Sequence, residues 1–376
     1  MTQALPRLAP MSDATLSALV REKRVLVLCG AGGVGKTTTS AALALAGAKA
    51  GRRVLVLTID PARRLAQALG IPESSPRPTP VPPERLAEIG VSGPGSLDAW
   101  MLDPRVVFDD LVRKLSSPEK ALVILHSKMY RHLTELVAGM QEYTAAEALY
   151  SFAAEERYDL IVLDTPPSRS ALDFLDAPGR LGKFLEDSVI QLFLPKEGVG
   201  LLRRAGRFLS GVFARVFGET FIEELQTFLG AFSGMFAALR QHTAGVRELL
   251  ASEKAAFLLV TSTDEEAVDE ALYFRDKLAE RALPFAGFVL NRSYASLEGL
   301  PHPDELGGAP TGEEQAVLAK LGRFADEERS RAKADGRLLE RLKGLAGRGF
   351  AVAAPHLGEA VEDLPGLVAL ARGMAG

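Results

Sequence analysis

The amino-acid sequence predicts an α/β protein with a doubly wound, mostly parallel sheet, a phosphate-binding loop and a helical insertion subdomain. Short apolar segments alternate with helix-like segments along most of the chain, which is typical of a parallel sheet covered by helices on both faces. A glycine-rich segment joins the first apolar segment to an alanine-rich helix pattern. Over residues 179–253 the alternation stops and only helix-like segments follow, which predicts the insertion.

Seven segments are predicted as strands because each is short, rich in Val, Leu and Ile, and almost continuously apolar, as buried parallel strands are. They are residues 24–29, 53–57, 97–102, 160–163, 256–261, 287–290 and 350–353. Between them, the proline-rich residues 71–83 and the residues 292–310 are predicted as surface loops. A highly charged helix is then predicted from Thr311 toward Asp335-Gly336. The strand that precedes the glycine-rich segment is expected to be central in the sheet.

The interruption divides the chain into a nucleotide-binding domain, residues 1–178 and 254–376, and a helical insertion subdomain, residues 179–253. Six apolar residues in the insertion fall at helical spacing on one face of a predicted helix: Phe221, Leu225, Phe228, Phe232, Met235 and Leu239. Such a face either packs into a core or forms an exposed groove for a partner or client. Periodicity alone does not distinguish the two.

The glycine-rich segment matches G-x-x-x-x-G-K-[ST], the loop that surrounds the phosphates of a bound nucleotide. Its glycines allow backbone amides to turn toward the phosphates, and the following helix adds a positive N-terminus. Lys36 is expected to reach the β- and γ-phosphates, and the Thr37 hydroxyl is expected to bind Mg²⁺. The predicted nucleotide-contacting residues are Gly30, Ala31, Gly32, Gly33, Val34, Gly35, Lys36, Thr37 and Thr38.

Two aspartates follow predicted strands at their carboxyl ends, where open α/β sheets place their sites. Asp60 precedes Pro61, and a carboxylate there could orient an attacking water or contact Mg²⁺ through its water shell. An Asp-Pro turn without chemistry is the alternative interpretation. Asp164 ends an apolar strand in the Walker-B pattern and would hold Mg²⁺ through water.

The composition of the chain excludes some kinds of binding site and argues against some classes of partner. The chain has 376 residues, a formal net charge of −4 and one cysteine, so an intramolecular disulfide and a cysteine zinc site are excluded within one chain. Because the net charge is negative, the chain has no general electrostatic attraction to nucleic acid or to an anionic membrane. The longest uncharged segment that could be considered as a membrane span, residues 226–239, is shorter than the roughly 20 residues needed to cross a bilayer. We expect a cytoplasmic protein with at most indirect membrane contact and no nucleic-acid partner.

These motifs carry a family resemblance. Residues 30–38, the Thr58-Ile59-Asp60-Pro61-Ala62 segment and Asp164-Thr165-Pro166-Pro167 resemble the arsenite-pump and tail-anchored-protein-targeting ATPases, in a bacterial-type form with a single ATPase half. That family belongs to the deviant-Walker branch of phosphate-loop ATPases. The resemblance covers nearly the whole chain and implies ATP and Mg²⁺ as cofactors. It also implies a dimer, formed with an identical or a paralogous chain.

The resemblance further implies residue roles. Asp60 would position the hydrolytic water and, with Lys36, would be catalytic. Asp60 and Asp164 would both act on Mg²⁺ through water. Asn291 would contact adenine, and the turn at Pro355-His356 would enclose the base. For Asn291 an ordinary role at the end of a strand remains equally open.

The sequence departs from the family pattern at several positions. Ala31 stands where the family has a lysine that reaches the partner's phosphates. Arg63, Arg64 and Arg169 are the nearest candidates for a substitute cation, although each is also explained as a surface arginine; Arg169 additionally replaces a glycine of the family pattern. Because Cys29 is the only cysteine, the thiolate site of arsenite-binding members and the zinc staple of eukaryotic targeting members are excluded.

The leading hypothesis is therefore a Mg²⁺-dependent ATPase that works as a nucleotide-switched dimer and handles a protein partner or hydrophobic client through residues 179–253. One alternative is a ParA/MinD-like positioning ATPase of the cell-division or plasmid-partition kind. Another is a phosphate-loop enzyme that transfers phosphate to a small molecule.

Overall fold

A single eight-stranded sheet organises the protein. The computed structural model describes residues 15–58, 64–73, 75–130, 141–165, 219–233, 235–297, 311–358, 361 and 363–375. The strand order is β3-β4-β2-β5-β1-β6-β7-β8, and every neighbouring pair is parallel except β3 with β4. The strands are β1 Val25–Cys29, β2 Arg53–Thr58, β3 Thr79–Pro80, β4 Ser96–Met101, β5 Leu160–Asp164, β6 Ala255–Thr261, β7 Phe285–Ser293 and β8 Phe350–Pro355. The predicted α/β class with a mostly parallel sheet is confirmed.

Helices cover both faces of this sheet, and each face has its own core cluster. One face packs against α1, α2 and α12, whereas α7, α9 and α10 pack on the other. The helices are α1 Leu16–Glu22, α2 Lys36–Lys49, α3 Arg64–Leu69, α4 Pro83–Glu88, α5 Pro104–Leu115, α6 Pro118–His126, α7 Gln141–Ala154, α8 Glu219–Ser233, α9 Phe236–Ala251, α10 Glu265–Glu280, α11 Gly312–Leu345 and α12 Leu364–Ala375. No helix in these ranges is long and apolar enough to cross a membrane.

The centre of the sheet brings three strand ends together. Strand β1 lies between β5 and β6, as predicted for the strand that precedes the glycine-rich segment. All residues of β1 and β5 are buried, which explains their continuous apolar sequences. In the register, Asp164 lies beside Leu28 on one side and Thr58 on the other. The carboxyl ends of β1, β2 and β5 therefore meet at the same edge.

All seven predicted strands are present, but the sequence prediction is wrong about the proline-rich loop and about the end of the charged helix. The proline-rich loop contains β3, which pairs with β4 for two residues at the sheet edge, where Pro80 can be accommodated without a backbone N–H. Helix α11 continues through Asp335-Gly336 to Leu345. Burial of Ala332 and Leu342, together with the hydrogen bond that Asp335 accepts from the Tyr294 amide, outweighs the cost of Gly336, about 1 kcal/mol relative to alanine.

The predicted loop 292–310 begins later than expected, because β7 extends to Ser293 and a short 3₁₀ helix follows at Ala295–Leu297. Residues 298–310 lie outside the described residues.

The apolar face predicted on one helix of the insertion is divided between two helices, because α8 ends at Ser233 and α9 begins at Phe236. Phe228, Met235 and Leu239 are buried together in a third core cluster. Their partners come from α5, α6 and the residue Tyr130: Phe108, Leu111, Val112, Ala121, Ile124 and Tyr130. These three residues are therefore core. The side chains of Phe221 and Phe232 lie outside the described residues, and the boundaries of the insertion remain a prediction.

Candidate functional site

The segment between β1 and α2 has the backbone of a phosphate-binding loop. Gly33 and Gly35 have φ angles of 78° and 90°, in the left-handed region that favours glycine. At Gly30 a Cβ atom would lie 2.1 Å from the carbonyl oxygen of Val260, so only glycine fits against β6. Gly32 and Gly33 are exposed, while Ala31 is half-buried and packs against the core. The loop is thus shaped by its glycines at three separate points.

Lys36 is the first residue of α2 and is 7% exposed. Its ammonium donates to the carbonyl oxygens of Gly30 at 3.0 Å and Ala31 at 2.8 Å, which holds it inside the loop. Gly35 is the N-cap of α2 and has no side chain to accept from the first helical amides. A helix N-terminus and a lysine of this kind together attract the oxygens of a phosphate.

Asp164 lies next to this helix end. The hydroxyls of Thr37 and Thr58 donate to its Oδ2 at 2.6 and 3.0 Å, and all three side chains come from adjacent elements at the sheet edge. Hydroxyl and carboxylate oxygens are ligands that Mg²⁺ accepts. Within the described residues no three His, Cys, Asp or Glu side chains gather into a metal cluster. Mg²⁺ is usually held by one or two carboxylates together with substrate phosphates and water.

Asn291 contacts the loop itself. Its Nδ2 donates to the carbonyl oxygen of Val34 at 2.8 Å, and the side chain is 5% exposed. A Cβ atom at Gly35 would lie 2.1 Å from the same Nδ2, so the loop and the end of β7 fit closely. Sequence reasoning missed this contact, because a residue 257 positions from Val34 gives no local signal of it.

Near Asn291, the turn after β8 is fixed by backbone pairing. Pro355 pairs with Ser293 in the sheet, and the amide of His356 donates to the carbonyl oxygen of Ser293 at 3.0 Å. The His356 ring stacks on Tyr294, with centroids 4.8 Å apart and planes inclined by 16°. Asp335 accepts from the Tyr294 amide at 2.7 Å. The sequence prediction included Pro355 but not Tyr294, which fell in the predicted loop 292–310 and directly follows β7 in the structure.

The single cysteine is unsuited to chemistry at this site. Burial raises the pKa of the Cys29 thiol to about 12, so the thiolate is scarce at neutral pH. The adjacent Thr165 hydroxyl donates to the carbonyl oxygen of Leu28 at 2.7 Å, which ties the end of β5 to β1.

Several predicted residues lie outside the described residues: Asp60, Arg63 and Arg169, together with the side chain of Arg64. Of the predicted residues that the structure describes, Lys36, Thr37, Asp164 and Asn291 lie together around the loop. Thr38 lies on the first turn of α2 and is half-buried. Thr58 was not predicted as a site residue, although it is the last residue of an apolar strand that ends in this cluster.

Comparison with known proteins identifies the family. The model of the anion-transporting ATPase family matches residues 23–295. Similar proteins include an uncharacterized protein of Streptomyces coelicolor, 35% identical over 52% of this chain and 45% of its own. They also include ATPase ASNA1 homolog 1 of Paramecium tetraurelia, 33% identical over 43% and 46%. ATPase GET3 of Mycosarcoma maydis is 29% identical over 46% and 48%. The chain spans about half the length of the curated relatives it matches. With its family model covering most of the sequence, the chain belongs to the anion-transporting ATPase family.

Proposed function

We propose that this protein is a Mg²⁺-dependent ATPase that converts ATP to ADP and phosphate and acts as a nucleotide-switched dimer. The observation that carries the proposal is the hydrogen bond of 2.6 Å between Thr37 and Asp164 at the N-terminus of α2, beside Lys36. A phosphate loop, a lysine and a hydroxyl–carboxylate pair are the parts that phosphoryl transfer needs for positioning and charge stabilisation. Family membership supports the same activity.

The residues have separate roles in this proposal. The loop amides and Lys36 hold the phosphates, and Lys36 moves from the loop carbonyls to the phosphate oxygens when nucleotide binds. Thr37 would bind Mg²⁺ directly, and Asp60 and Asp164 would hold it through water; the bound ion would supply positive charge beside the phosphates. Asp60 orients the attacking water and accepts its proton. Asn291 holds the loop in position through its hydrogen bond to the carbonyl oxygen of Val34.

A dimer is proposed on the basis of family membership, although the family's cation is absent at residue 31, where this chain has Ala31. The methyl group of Ala31 packs against the core and supplies no charge. Arg63, Arg64 and Arg169 remain the candidates for a substitute, given in trans by a second identical or paralogous chain. A hydrophobic protein client held by residues 179–253 is the proposed cargo, supported by the family and by the apolar composition of this segment.

The test of hydrolysis is phosphate release from ATP with Mg²⁺ and with a chelator. The chelator is expected to abolish release. Asp60→Asn is expected to bind ATP but to hydrolyse it about a hundredfold more slowly or worse, because general-base catalysis contributes at least that much. Asp269→Asn, on an exposed position of α10, is the matched control and should hydrolyse normally. Normal hydrolysis by Asp60→Asn would remove Asp60 from the mechanism.

The dimer is tested by light scattering of Asp60→Asn with ATP, with ADP and without nucleotide. ATP should double the molar mass, and ADP should not. A molar mass that does not respond to ATP contradicts the nucleotide-switched dimer, whatever the rate of hydrolysis. Partner capture by the ATP-bound variant then distinguishes a hydrophobic client from a soluble partner.

A further inference from the structure

A cavity of about 320 Å³ lies on the face of the sheet opposite α2. The cavity is lined by Trp100, by Val107 and Leu111 of α5, and by Phe152 of α7. Glu147 of α7 also lines the cavity. Trp100 belongs to the core cluster on that face. Side chains alternate along a strand, so Thr58 and Asp164 point to the other face, where Thr37 meets Asp164. This Trp100 cavity is therefore separate from the phosphate loop.

The cations at the rim of the Trp100 cavity are already paired with carboxylates. The three ion pairs are Arg77–Asp110 at 2.5 Å, Lys114–Glu155 at 3.3 Å and Arg157–Asp98 at 3.0 Å. An anionic ligand would have to compete with these carboxylates for each cation. The rim therefore gives little reason to expect a phosphate or a carboxylate as ligand.

Glu147 differs from these rim carboxylates. The residue is 3% exposed, and its Oε1 accepts from His242 Nδ1 at 2.8 Å. Its Oε2 is buried and has no hydrogen-bond partner among the residues that the structure describes. Burial raises the pKa of this carboxyl, while the hydrogen bond from His242 opposes that rise. The carboxyl group therefore keeps one acceptor without a donor, and the residue lines the Trp100 cavity.

We propose that the Trp100 cavity binds a small molecule with an aromatic or compact apolar body and one primary ammonium or amidinium group. The apolar body would pack against Trp100 and Phe152, whose rings meet edge to face with centroids 5.7 Å apart. The cationic donor would pair with Glu147. The volume is at the lower end of the roughly 300–1,000 Å³ typical of small-molecule sites. Aromatic and aliphatic side chains line one part of the cavity, the paired charges line the rim, and Glu147 supplies the polar group for the ligand.

Trp100 is the only tryptophan of the chain, so its fluorescence reports on this cavity alone. The experiment titrates the full-length protein with three probes of the same size: benzylamine, benzyl alcohol and benzoate. Benzylamine should give a saturable change in emission, with a Kd at least about tenfold lower than that of benzyl alcohol, because a charge-assisted hydrogen bond is roughly twice as strong as a neutral one. Benzoate should bind most weakly.

Three variants assign the effect. Glu147→Gln should weaken benzylamine binding about tenfold and change benzyl alcohol binding less than twofold. Glu248→Gln, at an exposed position of α9 that does not line the cavity, is the matched control and should bind benzylamine as the wild type does. Lys36→Met should also bind benzylamine normally, which separates this cavity from the nucleotide site.

The proposal is overturned if benzylamine gives no saturable change, if the three probes bind alike, or if Glu147→Gln binds benzylamine unchanged. Should Glu147→Gln fail to fold, the order of the three probes on the wild-type protein decides alone. Benzoate binding most tightly would assign the cavity to an anion and refute the role of Glu147.

Discussion

Gly35→Ala tests the contact between the phosphate loop and β7. At this position φ is 90°, and placing an alanine in the left-handed region costs about 1–2 kcal/mol. The new Cβ would lie 2.1 Å from Asn291 Nδ2, so the amide must move and give up its 2.8 Å bond to Val34. Leaving a buried carbonyl unsatisfied costs about 1–3 kcal/mol more. We expect Gly35→Ala to lower the free energy of unfolding by about 2–5 kcal/mol.

Two further variants separate these contributions. Gly33→Ala is the matched control, because φ there is 78° but no atom lies within 4 Å of the added Cβ. It should cost only the backbone term, about 1–2 kcal/mol. In an Asn291→Ala background the collision is absent, so Gly35→Ala should again cost only about 1–2 kcal/mol.

The assay is urea unfolding of the four proteins of this double-mutant cycle and of the control, without nucleotide. The expected coupling between positions 35 and 291 is about 1–3 kcal/mol. Additive effects, or an equal cost for Gly33→Ala and Gly35→Ala, would refute the reasoning, because the loop would then not rest on Asn291.

Three further predictions concern the rest of the fold. Cys29 should not react with a thiol reagent at pH 8 in the folded protein, because burial raises the pKa of its thiol to about 12. In urea it should react at once. Equal reaction rates in the two conditions would contradict the burial of Cys29. Arg53 lowers the pKa of Asp159 to about 2, so their pair stabilises the protein above pH 4 and loses this effect as the pH falls toward 2. Because the pair is exposed to solvent, we expect Arg53→Ala to lower stability only slightly at pH 6 and even less at pH 3, as measured by urea unfolding. A loss of stability that grows toward acid pH would argue against this pair. Phe228→Ala should cost about 3–5 kcal/mol, whereas Phe324→Ala, at a residue 63% exposed, should change stability by less than about 0.5 kcal/mol; similar costs would contradict the third core cluster.

The sequence predicted those features that depend on local pattern. Buried parallel strands need apolar residues on both faces, so all seven long strands could be recognised from composition alone. The central position of β1 followed from the glycine-rich segment after it. Thr37 and Asp164 lie together because the carboxyl ends of adjacent parallel strands share an edge, while the roles of Lys36, Thr37 and Asp164 stay a prediction.

Features that depend on tertiary contact were missed. Helix α11 passes through Gly336 because residues on both sides of it are buried, which a helix-ending signal in the sequence does not show. The break at Met235 divides a regular apolar spacing that looked continuous. The bond from Asn291 to Val34 joins two distant segments, and its role as a support for the loop became visible only in the structure.

The nucleotide site is tested most directly by titrating the protein with ATP and Mg²⁺ in a calorimeter and repeating the titration with Lys36→Met. Lys49→Met is the matched control, because Lys49 is on the same helix but donates to the carbonyl oxygen of Ile89. Charge-assisted hydrogen bonds contribute about 1.5–3 kcal/mol, so we expect Lys36→Met to weaken ATP binding by roughly a hundredfold. Lys49→Met should bind ATP within about twofold of the wild-type affinity. An unchanged affinity in Lys36→Met, or an equal loss in both variants, would contradict the assignment of this loop as the ATP site.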